Sequence, residues 1–150
     1  MTKEEIKDFS MKISQSSKTE LVVITYEIII NYIESAKECH AGEDMEGFVF
    51  NIKKAKQFVN DLSANLDFHY KLSFDLMSLY MFINKSLVSA QVRRTTEMLD
   101  ECIKIVSSLK NAFDSISSED KRGAAMPNSE QVYVGLTYGK GSKLNEYAVR

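Results

Sequence analysis

Residues that interrupt helices are scarce in most of this chain. Pro127 is the single proline, and four of the six glycines lie at or beyond Gly123. Because proline and glycine are the strongest local interruptions of regular backbone, a long stretch almost without them favours helices. We therefore expect a helical domain over residues 1–120 and a flexible or extended glycine-containing tail over residues 121–150.

Metal-binding and disulfide-forming residues are also few. Cys39 and Cys102 are far apart and have no further cysteine partners. A disulfide framework is not expected, and a reducing compartment is the default for such a chain. A zinc site needs several cysteine or histidine ligands at set spacings, and this sequence lacks them. We expect neither a metal nor another cofactor.

Long apolar runs and a bias of charge are missing as well. The densest apolar run, "LVVITYEIIINYI", is interrupted by Glu27 and Asn31, whereas a membrane span needs about 20 mostly apolar residues. The opening "MTKEEIKDFS" is too polar for a signal peptide. A formal net charge of -2 argues against a nucleic-acid-binding protein. These features predict a cytoplasmic protein without a membrane span and without a nucleic-acid partner.

No set of residues in the sequence matches a catalytic site. His40 and His69 are the only histidines, and neither has a partner at helical spacing. The stretch "GLTYGKGS" is too short for the Walker phosphate-binding pattern and lacks a buried strand before it. We therefore predict that the protein is not an enzyme; a small helical enzyme would have only these two histidines to use.

Helical periodicity repeats four times before residue 120. The four predicted helices cover about residues 18–39, 44–67, 70–90 and 95–116. Ser17 followed by Glu20 is a capping box at the first of them, and Gly42 is free to end it in a left-handed conformation. Helices of this length with short connections predict an all-α, antiparallel four-helix bundle. A short N-terminal helix precedes it.

The third of these helices carries two apolar stripes. At about 100° per residue, one stripe includes Leu76, Leu79 and Tyr80, which we assign to the core. The second stripe lies roughly 130° around the helix. On the first two helices, Val23, Ile30, Phe50 and Phe58 also point away from the main faces. The residues that we predict to bind a partner are Val23, Ile30, Phe74, Met77, Met81 and Val88.

The N-terminal segment has a short apolar stripe of its own. Ile6, Phe9 and Ile13 lie at helical spacing, but isolated helices shorter than about 12 residues are marginal in water. The stripe must therefore rest on other apolar surface. We predict that it covers part of the partner-binding groove when no partner is present.

Four stretches follow one another along about residues 5–116: "SSKTELVVITY", "KAKQFVNDLSANLD", "SLYMFINKSLVSA" and "LKNAF". In this order they resemble the FliS family of flagellar secretion chaperones, which bind flagellin. The chain departs from the family at Lys18, where proline is usual, and at Phe113, where tryptophan is common. Near Tyr26, Thr25 and Ile28 stand where the family usually has leucine and glycine. The matching positions are Leu21, Tyr26, Lys54, Ala55, Leu62, Leu66, Asp67, Leu76, Leu79, Tyr80 and Leu87.

The resemblance implies a cytosolic four-helix bundle chaperone without a cofactor. Such a protein would bind the C-terminal region of flagellin and keep it unpolymerised before secretion, and the departures would suit a diverged member. We expect a monomer or a weak homodimer. The alternative is a homodimeric helical scaffold whose extra apolar surface is a permanent dimer interface.

Overall fold

The computed structural model of the protein describes residues 1–14 and 17–121, with all side chains in these ranges except those of residues 13, 14 and 119–121. This part of the chain is helical and contains no strand. Of the tail expected over residues 121–150, everything from residue 122 onwards lies outside it. The helices are α1 (Lys3–Ser14), α2 (Lys18–Ala41), α3 (Met45–Ala64), α4 (Lys71–Arg93) and α5 (Leu99–Lys121).

Helices α2 to α5 form the predicted antiparallel four-helix bundle. Helix α2 packs against α3 and α5, and α4 closes the bundle by packing against the same two helices. The direction follows from contacts near both ends of one pair. Lys37 near the end of α2 lies 2.5 Å from Asp100 at the start of α5, while Tyr26 contacts Phe113 near the other end of α5. Neighbouring helices therefore run in opposite directions, and the all-α expectation is confirmed.

The centre of the bundle contains a pair of buried tyrosines. The hydroxyl oxygens of Tyr26 on α2 and Tyr80 on α4 are 2.5 Å apart, so one hydroxyl donates a hydrogen bond to the other across the bundle. The ring of Phe113 packs edge-on against Tyr26, with ring centroids 5.5 Å apart. Burial and the neighbouring hydroxyl raise the pKa of Tyr26 well above its ordinary value. Helices on opposite corners of the bundle thus meet through polar atoms that satisfy each other.

The starts of the helices follow the sequence signals more closely than their ends do. The Ser17 side chain accepts a hydrogen bond from the Glu20 amide, as the capping box predicts, and Asp44 caps α3 in the same way through the Gly47 amide. The prediction for Gly42 is wrong, because its φ is -86° and the left-handed conformation falls on Glu43 with φ 60°. Helix α2 continues to Ala41, and the left-handed residue that follows it is Glu43, one residue after Gly42.

Two predictions about which side chains are buried are also wrong. Leu79, assigned to the core, is 37% exposed, because α4 and α5 pack less extensively than the other neighbouring helices of the bundle. Phe58, expected off the main face, is buried and stacks on Tyr32 of α2 with ring centroids 5.9 Å apart. Helix α2 is buried around most of its circumference, and it therefore accepts apolar residues from α3 over a wider arc than one stripe provides.

Helix α1 packs outside the bundle, against α2. Phe9 is buried in the common core, and Lys12 lies 3.7 Å from Glu27 as an ion pair. Within residues 1–14 and 17–121, none of the helices combines the length and apolar character needed to cross a membrane. The short N-terminal helix is therefore an added element that the bundle holds through α2.

Candidate functional site

A row of exposed apolar side chains runs along the outer face of α4. Phe74, Met81 and Val88 are 58%, 65% and 40% exposed, and their spacing brings each within about 20° of the one before. Met77 lies between them and is half-buried against the core. Leu76 and Tyr80, on the opposite face, are buried as predicted. We call Phe74, Met77, Met81 and Val88 the α4 stripe.

Two residues that the sequence analysis missed extend the α4 stripe. Val92 is one helical turn beyond Val88 and is exposed, so the same periodicity could have identified it. Phe68 precedes α4, and its ring lies against that of Phe74 with centroids 5.1 Å apart. No helical spacing relates Phe68 to the stripe, because the turn before α4 brings it there. Single exposed apolar residues are common on protein surfaces, whereas here several lie along one face of a single helix.

The structure does not bring the two α2 candidates to the α4 stripe. Val23 is only 6% exposed and Ile30 is half-buried, and α2 lies diagonally opposite α4 in the bundle. Val23 lines a cavity of about 400 Å³ together with Lys12 of α1 and Asp114 of α5. A partner can reach Val23 only if the elements around it move.

The N-terminal candidates are on α1, on the same side as Val23. Phe9 is buried and Ile6 is half-buried, whereas the Ile13 side chain lies outside the part that the structure describes. Lys12 and its ion-pair partner Glu27 both line the cavity that Val23 lines. Helix α1 therefore borders Val23 of α2 and is separate from the α4 stripe.

Comparison with known proteins gives a family match over most of the described part of the chain. The family model described as "Flagellar protein FliS" matches residues 2–120. The chain belongs to the FliS family. It is also similar to the flagellar secretion chaperone FliS of Bacillus subtilis (strain 168), with 26% identity over 110 residues, which cover 73% of this chain and 83% of the relative. The match takes in α1 and the whole bundle, and the segment after α5 lies beyond it.

The two histidines of this FliS-family chain have structural contacts. His40 Nε2 lies 2.9 Å from the Arg94 carbonyl oxygen, which can only accept, so this nitrogen donates. The ring of His40 also packs edge-on against Phe48. His69 contacts Asp67 in the turn before α4, where its amide and ring nitrogen lower the pKa of the Asp67 carboxyl. Both histidines thus help to shape turns at the ends of helices.

The two cysteines have the properties of packing residues. Cys102 on α5 is buried, and burial raises the pKa of its thiol to about 11, against a smaller opposing effect of Ser86. Burial likewise raises the pKa of Cys39, where the nearby carboxylate of Asp44 adds to the effect. A raised pKa keeps a thiol protonated and weakly nucleophilic. Among the described residues, no three His, Cys, Asp or Glu side chains gather where they could hold a metal ion.

Proposed function

We propose that the chain is a cytoplasmic flagellar export chaperone that binds the C-terminal segment of flagellin and keeps it unpolymerised before secretion. Membership of the FliS family supports the chaperone class. The observation that carries the proposal for this chain is the α4 stripe, where Phe74 and Met81 are each more than half exposed beside a well-filled core. An amphipathic helix or an extended apolar peptide is the kind of ligand that such a surface binds.

The chemistry of the α4 stripe suits an irregular apolar client. Met77 and Met81 have unbranched, polarisable side chains that adapt to partners of different shape. Phe74 and Phe68 add two aromatic rings at one end of the stripe. Burial of one large apolar side chain contributes about 1.5 to 3 kcal/mol, so a few such contacts suffice for a reversible complex. A chaperone that must release its client needs binding of this kind.

The direct test is titration calorimetry with the C-terminal peptide of flagellin from the same organism. We expect binding with a negative heat-capacity change, because apolar surface is buried. Met81→Glu should weaken binding strongly. Phe50→Glu is the matched control, because Phe50 is similarly exposed but lies on α3 and does not belong to the α4 stripe. Absence of binding to any flagellin of that organism would refute the proposal.

Sedimentation analysis with and without the peptide separates the chaperone from a permanent dimer. We propose that the free chain is a monomer or a weak homodimer, so it should sediment as a monomer after dilution, and its sedimentation should change when peptide is added. A dimer that persists on dilution, with Met81→Glu converting it to monomers, would assign the α4 stripe to self-association. The protein would then be a homodimeric scaffold.

We further propose that α1 covers Val23 and Ile30 when no client is present. Helix α1 contacts the bundle through α2, and its anchoring residues include Phe9 and the ion pair of Lys12 with Glu27. A client that uses this side must displace α1, which lowers its apparent affinity. Deleting residues 1–15 should therefore raise client affinity or leave it unchanged, and should increase self-association. Loss of client binding from a bundle that stays folded would show instead that α1 forms part of the binding site.

A further inference from the structure

A second apolar surface lies between α4 and α5, on the other flank of α4 from the α4 stripe. A groove of about 350 Å³ is lined by Leu79 of α4 and by Lys104, Ile105, Ser108 and Leu109 of α5. Leu79 is roughly 160° around the helix from Met81, so the two surfaces are distinct. Phe82 is half-exposed on the same flank as Leu79. We call this surface the α4–α5 groove.

The α4–α5 groove exists because these two helices pack least closely among the neighbours of the bundle. Ile105 and Leu109 are only partly buried against the core, and Leu79 is left at the edge. Elsewhere the corresponding apolar positions are filled, as where Phe58 stacks on Tyr32. The groove therefore has room for one more layer of apolar side chains from another segment.

The chain that follows α5 carries a stretch with matching chemistry. In "QVYVGLTY", residues 131–138, alternate positions hold Val132, Val134, Leu136 and Tyr138. In an extended backbone alternate side chains share one face, so these four would form an apolar edge about 20 Å long. The opposite face carries Gln131, Tyr133, Gly135 and Thr137, so Tyr133 is its one large side chain. One-sided apolar character is what an extended segment needs to lie in a groove between two helices.

The connection is long enough to reach the α4–α5 groove. Leu109 lies about 18 Å along α5 from the helix end at Lys121, at a rise of about 1.5 Å per residue. Residues 122–131 can span up to about 33 Å. Gly123 and Pro127 fall within this connection, where a reversal of direction is required. A short connection also gives the attached segment an effective concentration of about millimolar, which favours it over a second copy of the chain.

We propose that residues 131–138 of this chain occupy the α4–α5 groove, with Val132, Val134 and Leu136 directed towards Leu79, Ile105 and Leu109. The segment covers apolar surface that would otherwise promote self-association. It leaves the α4 stripe open, so the covering of this groove is independent of the client surface proposed above. The segment lies beyond residues 2–120, which match the FliS family, so the proposed covering of the groove is a feature of this chain and not of the matched region.

The test is methyl NMR spectroscopy of the full chain and two variants. The first variant combines Val132→Ser, Val134→Ser and Leu136→Ser. Its matched control is Tyr133→Ser, which removes a large side chain from the opposite face of the same stretch. We expect the first variant to shift the methyl resonances of Ile105 and Leu109 and the control to leave them in place. The methyl resonances of Leu79 should move with the first variant, while those of Val88 and Met81 on the α4 stripe should not.

Each other outcome overturns the proposal. Unchanged Ile105 and Leu109 resonances would show that the segment does not occupy the α4–α5 groove. Shifts confined to Met81 and Val88 would place it on the α4 stripe. Equal shifts from Tyr133→Ser would show that the apolar face is not what the groove binds. Shifts that vary with protein concentration would identify a second copy of the chain as the occupant.

Discussion

The buried tyrosine pair allows a quantitative test of how the bundle is held together. Tyr26 and Tyr80 are almost completely buried, and their hydroxyl oxygens are 2.5 Å apart. Tyr80→Phe keeps the ring but removes the hydroxyl that Tyr26 contacts. A buried polar group that loses its partner costs about 1 to 3 kcal/mol of stability, and we expect the free energy of unfolding to fall by that amount.

The double variant Tyr26→Phe with Tyr80→Phe should recover part of this loss. Both hydroxyls are then absent, and replacing two hydrogen-bonded groups by apolar groups of the same shape is nearly neutral. The ring contact between Tyr26 and Phe113, at 5.5 Å between centroids, needs no hydroxyl and is kept. We therefore expect a coupling of about 1 kcal/mol or more between the two positions, as for residues in direct contact.

Urea unfolding of the wild type, both single variants and the double variant measures this coupling. The dependence of the unfolding free energy on urea should stay the same in all four, which shows that the variants unfold from equally compact states. If the double variant loses as much as the two single variants together, the hydroxyls are not coupled. The hydrogen bond would then contribute nothing, and the reasoning would be refuted.

The same pair predicts a loss of stability at alkaline pH. The pKa of Tyr26 is raised above its ordinary value of 10.0, so folding favours the protonated hydroxyl. The stabilisation is complete below pH 10.0 and is lost as the pH rises above it, by about 1.4 kcal/mol per pH unit. Urea unfolding at several alkaline pH values should show this slope in the wild type and a shallower one in Tyr26→Phe.

Three further predictions concern the core, an alkaline titration and a helix cap. Leu76→Ala should lower the free energy of unfolding by about 2 to 5 kcal/mol because it opens a cavity. Met81→Glu should leave the melting temperature nearly unchanged. Unfolding by Met81→Glu would show that the α4 stripe is ordinary core. Folding favours the protonated thiol of Cys102, whose pKa is raised from 9.0 to about 11. The protein should therefore lose about 2 to 3 kcal/mol of unfolding free energy as the pH rises from 9.0 to 11. Denaturation at several pH values should show a flatter dependence for Cys102→Ala. Ser17→Ala should lower the unfolding free energy by about 1 kcal/mol, while Ser17→Gly should cost only a few tenths; equal costs would show that the side chain does not cap α2.

The sequence by itself determined the helices of this protein, because the signals that define them are local. The scarcity of glycine and proline before Gly123 and the three-four spacing of apolar residues both act within a few turns of backbone. The cap at Ser17 is a contact across one turn, and it was found at the expected position. The sequence locates helix ends less sharply, because adjacent residues can both take the conformation that ends a helix. After α2 the left-handed conformation falls on Glu43 and not on Gly42.

The faces of α4 that point away from the core were identified from the same local pattern. Phe74 and Met81 were placed outside the core and are exposed, because their angle from Leu76 and Tyr80 is set by helix geometry alone. Their role as a client surface remains a prediction. The rule worked here because α4 lies at a corner of the bundle with one side facing solvent.

Only the tertiary structure decided how much of each helix its neighbours cover. Val23 has the same off-face pattern as Met81, yet it is buried because α2 is surrounded by α1, α3 and α5. Leu79 has the pattern of a core residue, yet it is partly exposed because α4 and α5 stand apart. Helical periodicity gives the direction of a side chain, but the distance to the next helix is a property of the assembled bundle, and that distance separates core from surface.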